Sequence, residues 1–122
     1  MNLATLFGRK TMGNNAERIA EKYLLAQGLT TIARNFRCRF GEIDLIMQDG
    51  DATVFVEVRY RASEQFGGAA ASIGLAKQRR IATAAEHYLS KFRQPPPCRF
   101  DAILMRTIDV DGIEWVKNAF GI

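Results

Sequence analysis

Two acidic side chains on neighbouring segments could do chemistry here. In Glu42-Ile43-Asp44-Leu45-Ile46-Met47 the odd positions are apolar, and positions 42 and 44 are acidic. In Thr53-Val54-Phe55-Val56-Glu57-Val58-Arg59 the even positions are valines, and the odd positions carry Phe55, Glu57 and Arg59. Both segments alternate as strands do. Asp49-Gly50 between them signals a hairpin. A two-residue loop at 49–50 pairs Asp44 with Phe55 and Glu42 with Glu57, and sets Asp44 diagonal to Glu57 on the face opposite the valines. Like charges facing each other across a sheet repel, so an arginine or a divalent cation should compensate them. Hard oxygen donors suit magnesium or manganese. An ion held by Asp44 and Glu57, beside Arg59 two residues along the strand, is an arrangement for phosphodiester hydrolysis. The ion activates water and the arginine steadies the phosphate.

The rest of the chain must position that hairpin. Residues 14–27 read as an amphipathic helix with its stripe at Ala16, Ile19, Ala20, Tyr23, Leu24 and Gln27. Asn14 and Glu17 fit a capping box and Gly28 a stop; residues 1–12 read as a loose lead-in. Residues 29–39 form short extended segments broken near Arg34-Asn35. Residues 60–72 read as a mobile loop around Gly67-Gly68. A second helix is expected over 73–92, its stripe at Ile81, Ala84, Ala85, Tyr88 and Phe92. Lys77 and Gln78 fall on its inward side, where a lysine either snorkels past the core or serves a site. Pro95-Pro96-Pro97 makes a stiff connector. Residues 99–107 and 113–117 close the domain as a strand pair turned at Asp111-Gly112. Asp101 is expected to hold backbone or an arginine, His87 to be structural, and Cys38 and Cys98 to be small apolar packers.

Composition bounds the class. The chain has 122 residues, 48% of them hydrophobic and 25% charged, which describes one globular domain. Two cysteines and one histidine cannot build a disulfide scaffold or a structural zinc site. No apolar run is long enough for a transmembrane helix, and the N-terminus lacks the charge order of a signal peptide, so a cytoplasmic protein without membrane contact is expected. The net charge of +4 is uneven. Residues 1–58 are neutral, whereas residues 59–99 carry eight basic side chains against two acidic ones. A neutral half holding carboxylates followed by a basic segment suits a polyanionic partner.

The motif Gly41-Glu42-Ile43-Asp44-Leu45-Ile46, followed by Val54-Phe55-Val56-Glu57-Val58-Arg59, resembles the core of the restriction-endonuclease-like superfamily. That core has an acidic residue on one strand and Glu-x-Lys on the next. More closely, the chain resembles the YraN family of small bacterial proteins related to archaeal Holliday junction resolvases. The likeness covers nearly the whole chain, including Gly13, residues 17–24, Arg34-Asn35, residues 55–61, Phe66-Gly67, residues 77–89, Arg99-Phe100-Asp101 and Asn118-Ala119-Phe120. It implies an α/β, restriction-endonuclease-like fold: one nuclease-like domain over 1–122, with a small central mixed sheet, a functional hairpin and flanking helices. It implies metal ligands at Asp44, Glu57 and Glu17, with magnesium or manganese as cofactor. Branched or structured DNA is the implied partner, engaged by a symmetric homodimer.

Arg59 departs from the motif, because an arginine stays protonated and cannot serve as a base. Lys77 is then the candidate to take the lysine's role. Arg34, Arg37, Arg61 and Arg80 are expected to contact nucleic acid. Two other readings stay open: a nucleic-acid-binding module of this fold that does not cleave, and a protein-interaction module whose carboxylates are structural.

Overall fold

The computed structural model describes residues 3–61 and 73–121, with side chains described from residue 15 onward. The elements run α1 (Leu3–Ala26), β1 (Thr30–Cys38), β2 (Gly41–Asp49), β3 (Ala52–Tyr60), α2 (Leu75–Leu89), β4 (Cys98–Met105) and β5 (Ile113–Phe120). The five strands form one mixed sheet in sequential order. All neighbours are antiparallel except β3 and β4, which are parallel. A parallel pair needs a crossover, and α2 supplies it. The α/β, restriction-endonuclease-like architecture expected from the sequence is what the chain adopts.

The two helices cover opposite faces of the sheet. Ala16, Ala20 and Leu24 of α1, spaced by four, pack on Leu45, Met47, Val54, Val56, Ile103 and Met105. Ile81, Ala84, Ala85 and Tyr88 of α2 pack on Ile43, Ile46, Phe55 and Phe100. The hairpin is therefore buried on both sides, and Phe55 and Ile46 are core rather than part of an open functional face. Helix α1 ends as a Schellman turn. Gly28 takes φ 99°, its N–H reaches the Leu25 carbonyl at 3.0 Å, and the Leu29 N–H reaches Leu24 at 3.1 Å. The two leucines meet in the core as the motif requires.

Several boundaries differ from the sequence reading. Helix α1 begins at Leu3 rather than at 14, so Asn14 lies inside it and not at its start. The amphipathic stripe falls in the half of the helix whose Ala16, Ala20 and Leu24 pack on the sheet. Helix α2 runs over 75–89, and Phe92 lies beyond it, exposed. Strand β3 continues to Tyr60, and the rest of the expected loop, with Gly67-Gly68, lies outside the described residues. Strand β1 is continuous, but Asn35 within it takes φ 51°. That local left-handed residue, which asparagine tolerates, is the break the sequence signalled. A short 3-10 turn, Val110–Gly112, replaces a tight turn before β5. Cys38 packs against the core, whereas Cys98 is exposed.

The hairpin register is the main correction. Asp49 pairs with Ala52, so the loop is Gly50-Asp51, and Met47 pairs with Val54 and Leu45 with Val56. A pairing shifted by two keeps the faces of β3 but changes the partners, and in β2 Ile43 leaves the face of Leu45 and Met47 to pack with Ile46 against α2. Glu42 now lies opposite Arg37 of β1, not opposite Glu57. Asp49 can close the loop because Arg99 of β4 holds its carboxylate at 2.8 Å.

Asp101 anchors the far side. It is wholly buried and accepts from Arg99 Nε at 3.1 Å, Trp115 Nε1 at 3.0 Å and the Asn118 backbone N–H at 3.1 Å. Asn118 sits at φ 52°, where the β4–β5 register slips. Replacing Asp101 with alanine strands three donors in the core. The expected loss is about 3–5 kcal/mol, seen as a lower urea midpoint with an unchanged slope.

Candidate active site

Where the hairpin ladder stops, Asp44 of β2 has a carboxylate neighbour on each of two other elements, Glu57 of β3 and Glu17 of α1. The paired residues of β2 and β3 end at Leu45 and Val56. Beyond them, Oδ2 of Asp44 accepts the Val58 backbone N–H at 2.8 Å, a side chain doing the work of a ladder bond. Asp44 is thereby pinned between the strands. Glu57, on β3, is 4% exposed. Glu17 comes from α1, where the small side chains of Ala16 and Ala20 let the helix lie close to the sheet.

The electrostatics follow from that convergence. Burial pushes the Glu57 carboxyl up to about 8, and hydrogen bonding and charge from Asp44 push the same way, while Lys77 opposes them. Glu17 is raised to about 7, first by burial and then by Asp44. Asp44 is the common neighbour of both. The Lys77 ammonium lies 3.3 Å from Glu57 Oε2 and is itself 30% exposed, so α2 delivers one cation to the cluster. That is the inward position the helix periodicity assigned to it. Arg59 is half-buried two residues beyond Glu57, on the same face by strand alternation.

The outer residues divide differently. Both Arg34 Nε and Nη2 bind Glu21, each at 2.8 Å. Glu21 also accepts from Thr31 at 2.5 Å. Arg37 is exposed and pairs with Glu42 at 3.3 Å, and Glu17 feels both charges, Glu42 raising its pKa and Arg37 lowering it. Arg61 is exposed at the end of β3, its guanidinium on the Tyr60 carbonyl, and Arg80 is exposed on α2.

Glu21 was missed in the sequence. It lies one turn beyond Glu17 on the same helix face, a like-charge i, i+4 pair that needs a reason. The reason is that the two acids serve different partners, Asp44 and Arg34. A groove of about 510 Å³ opens between them, lined by Glu17, Arg18, Glu21, Arg34, Asn35 and Leu45.

Among the described residues no three His, Cys, Asp or Glu side chains stand together as a group that could hold a metal ion. The donor chemistry of Asp44, Glu17 and Glu57 nevertheless fits a hard divalent cation. All three offer carboxylate oxygen, and two of them carry raised pKa values that a nearby cation would lower.

A mixed five-stranded sheet between two helices, with an acidic cluster at the mouth of its hairpin, defines a small restriction-endonuclease-like domain. Residues 16–105 match the model of uncharacterised protein family UPF0102, and the chain belongs to that family. A UPF0102 protein of Methylobacillus flagellatus is 57% identical over 111 residues, covering 91% of this chain and 97% of its own. One from Nitrosospira multiformis is 54% identical over 110 residues, covering 90% and 92%. No helix among the described residues is long and apolar enough to cross a membrane.

The raised carboxyls have a consequence for stability. Glu57 titrates near 4.5 when unfolded and near 8 when folded, and Glu17 near 7. The folded chain therefore binds more protons than the unfolded chain between those limits. Their contribution is complete below about 4.5 and is lost as pH rises through 7 and 8. Glu57→Gln removes the larger part of this loss. Its stability relative to the parent should improve between about pH 5 and pH 8.5 by on the order of 2–4 kcal/mol, read by urea unfolding at each pH.

Proposed function

We propose that this protein is a divalent-cation-dependent endonuclease acting on DNA, with branched or structured DNA as its substrate class. The place of Asp44 between two other acids, Glu57 of β3 and Glu17 of α1, carries the reading. Such a cluster is costly to the fold and is explained by a ligand that needs it.

Asp44, Glu17 and Glu57 would hold magnesium or manganese. The ion, when bound, would lower the pKa of water and neutralise charge on the phosphate. Asp44 is fixed for its part by the Val58 N–H. Lys77 holds Glu57 in place through their ion pair and offers a donor to a phosphate oxygen. Arg59, always charged, can grip a second phosphate oxygen but cannot accept a proton. The cation the superfamily motif carries on the strand is thus supplied here from α2. Arg61 and Arg80, both exposed, suit contacts to the DNA backbone, with affinity falling steeply as salt rises.

A non-cleaving DNA-binding role is the second reading, favoured by Arg59 in the lysine position. Labelled four-way junction, flap and linear DNA, incubated with magnesium or manganese, separates the two. Cleavage is expected, and Asp44→Asn or Glu57→Gln should lower its rate by about 100-fold or more. Lys77→Met should cost about as much, while Arg59→Lys retains cutting. Binding without cutting under every metal condition would establish the second reading.

The same site predicts a linkage between cation and proton. Magnesium titrated into the DNA-free protein at pH 7 should release protons from Glu57 and Glu17. Calorimetry in two buffers of different ionisation enthalpy reads that release, and Asp44→Asn should abolish it.

A further inference from the structure

We propose that Phe40, at the tip of the β1–β2 turn, is a stacking platform for an unpaired nucleobase, with Arg39 and Arg80 contacting the phosphates of the same strand. The proposal rests on the reading of this chain as a DNA-binding protein and adds to it a substrate feature and a residue.

Phe40 is a large apolar side chain, 36% exposed, at a tight turn between charged residues. A turn normally carries polar residues, so a partly exposed ring there stands out. The ring is nonetheless held. The His87 ring of α2 lies 5.7 Å from it, and His87 is in turn 6.5 Å from Phe36. The turn itself is seated on α2. Gly41 takes φ 152°, and a Cβ there would lie 3.3 Å from the Arg80 carbonyl oxygen. Such a fixed aromatic surface costs little further ordering when a ligand lands on it.

The surroundings select the ligand. The Arg39 guanidinium carbon sits 4.8 Å from the centre of the Phe40 ring. An exposed cation–π contact of this kind is weaker than the stacking of a base on the same ring. A base can therefore replace the guanidinium on the ring and release it to a phosphate. Of the other charges near the turn, Arg37 is offset by Glu42, Glu86 precedes His87 on α2, and Arg80 is exposed beside Gly41. One ring among arginines suits a nucleobase with its phosphate, whereas a lipid surface would call for several apolar side chains together.

Position supports the assignment. Phe40 precedes Asp44 by four residues, roughly 13 Å of extended chain. A strand with its phosphate at the carboxylates can reach the ring. Duplex DNA keeps its bases stacked inside, so a platform beside the cluster favours a substrate with unpaired nucleotides near the cut.

The test uses the full chain in EDTA at about 50 mM salt, where phosphate contacts are strong. The probes are fluorescein-labelled decathymidylate and an abasic strand of equal length, read by anisotropy. Phe40→Ala and Phe40→Leu should both weaken decathymidylate binding by about 5- to 100-fold and leave the abasic strand unchanged. Phe40→Trp should bind as the parent does. Equal decathymidylate affinity in Phe40→Ala overturns the platform, as does a matching loss on both strands, which would give the ring only a role in placing arginines. If the parent binds neither strand nor a four-way junction, the DNA reading itself fails.

Discussion

Asp44 has one carboxylate to share between a backbone amide and two other acids. Its bond to the Val58 N–H fixes it between β2 and β3, where the ladder between them ends. Glu57 lies beside it almost without solvent, and Glu17 reaches it from α1. Two unit charges about 4 Å apart repel by roughly 4 kcal/mol at an effective dielectric of about 20. Lys77 offsets part of that repulsion at Glu57 and Arg37 part of it at Glu17, and protons take up part of the remainder near neutral pH. Packing elsewhere must hold the cluster together. The alanine seam of α1 and the Ile81–Tyr88 face of α2 press on the two sides of the hairpin and leave its acids no room to part.

Asp101 shows what a carboxylate looks like when it serves only the fold. It is as buried as Glu57, yet an arginine, an indole N–H and a backbone N–H all donate to it. It ties β4 to the bulge of β5 and, through Arg99, to the hairpin loop at Asp49. Every lone pair has an evident structural use. Glu57 has one ammonium at 3.3 Å and a like-charged neighbour. A fold tolerates that imbalance where a ligand completes the site, and natural chains break their local rules mainly there.

The faces of β3 were legible because a period of two survives any even error in register, whereas in β2 the alternation breaks and Ile43 joins Ile46 against α2 while Leu45 and Met47 face α1. Asp44 and Glu57 come together although the loop is Gly50-Asp51 rather than Asp49-Gly50. What the local sequence could not show was why the loop moves. Arg99, fifty residues away, holds Asp49 in the strand. The inward placement of Lys77 was legible from the spacing of Ile81, Ala84 and Tyr88. The pairing of Arg34 with Glu21 was not, since it depends on where the helix lies over β1. The helical backbone before residue 14 was hidden for another reason. An amphipathic stripe reports only the part of a helix that has a sheet to cover.

The uneven charge of the chain finds its meaning in the crossover. Acids from α1, β2 and β3 lie in the neutral first half of the sequence, and the basic excess begins at Arg59 and runs on through α2. Because β3 and β4 are parallel, the chain must leave the sheet after Tyr60 and return along one face. That path lays the basic helix over the hairpin, with Lys77 against Glu57 and Arg80 against the Gly41 turn. Segments that are separate in sequence thus bring a cation of α2 against an acid of β3. Arg59 stands at the junction of the two, at the end of the acidic strand and the start of the basic segment. A lysine there would duplicate the ammonium that α2 already brings. On the proposed reading, an arginine adds a planar fork that holds its charge at any working pH and would grip a phosphate rather than move a proton.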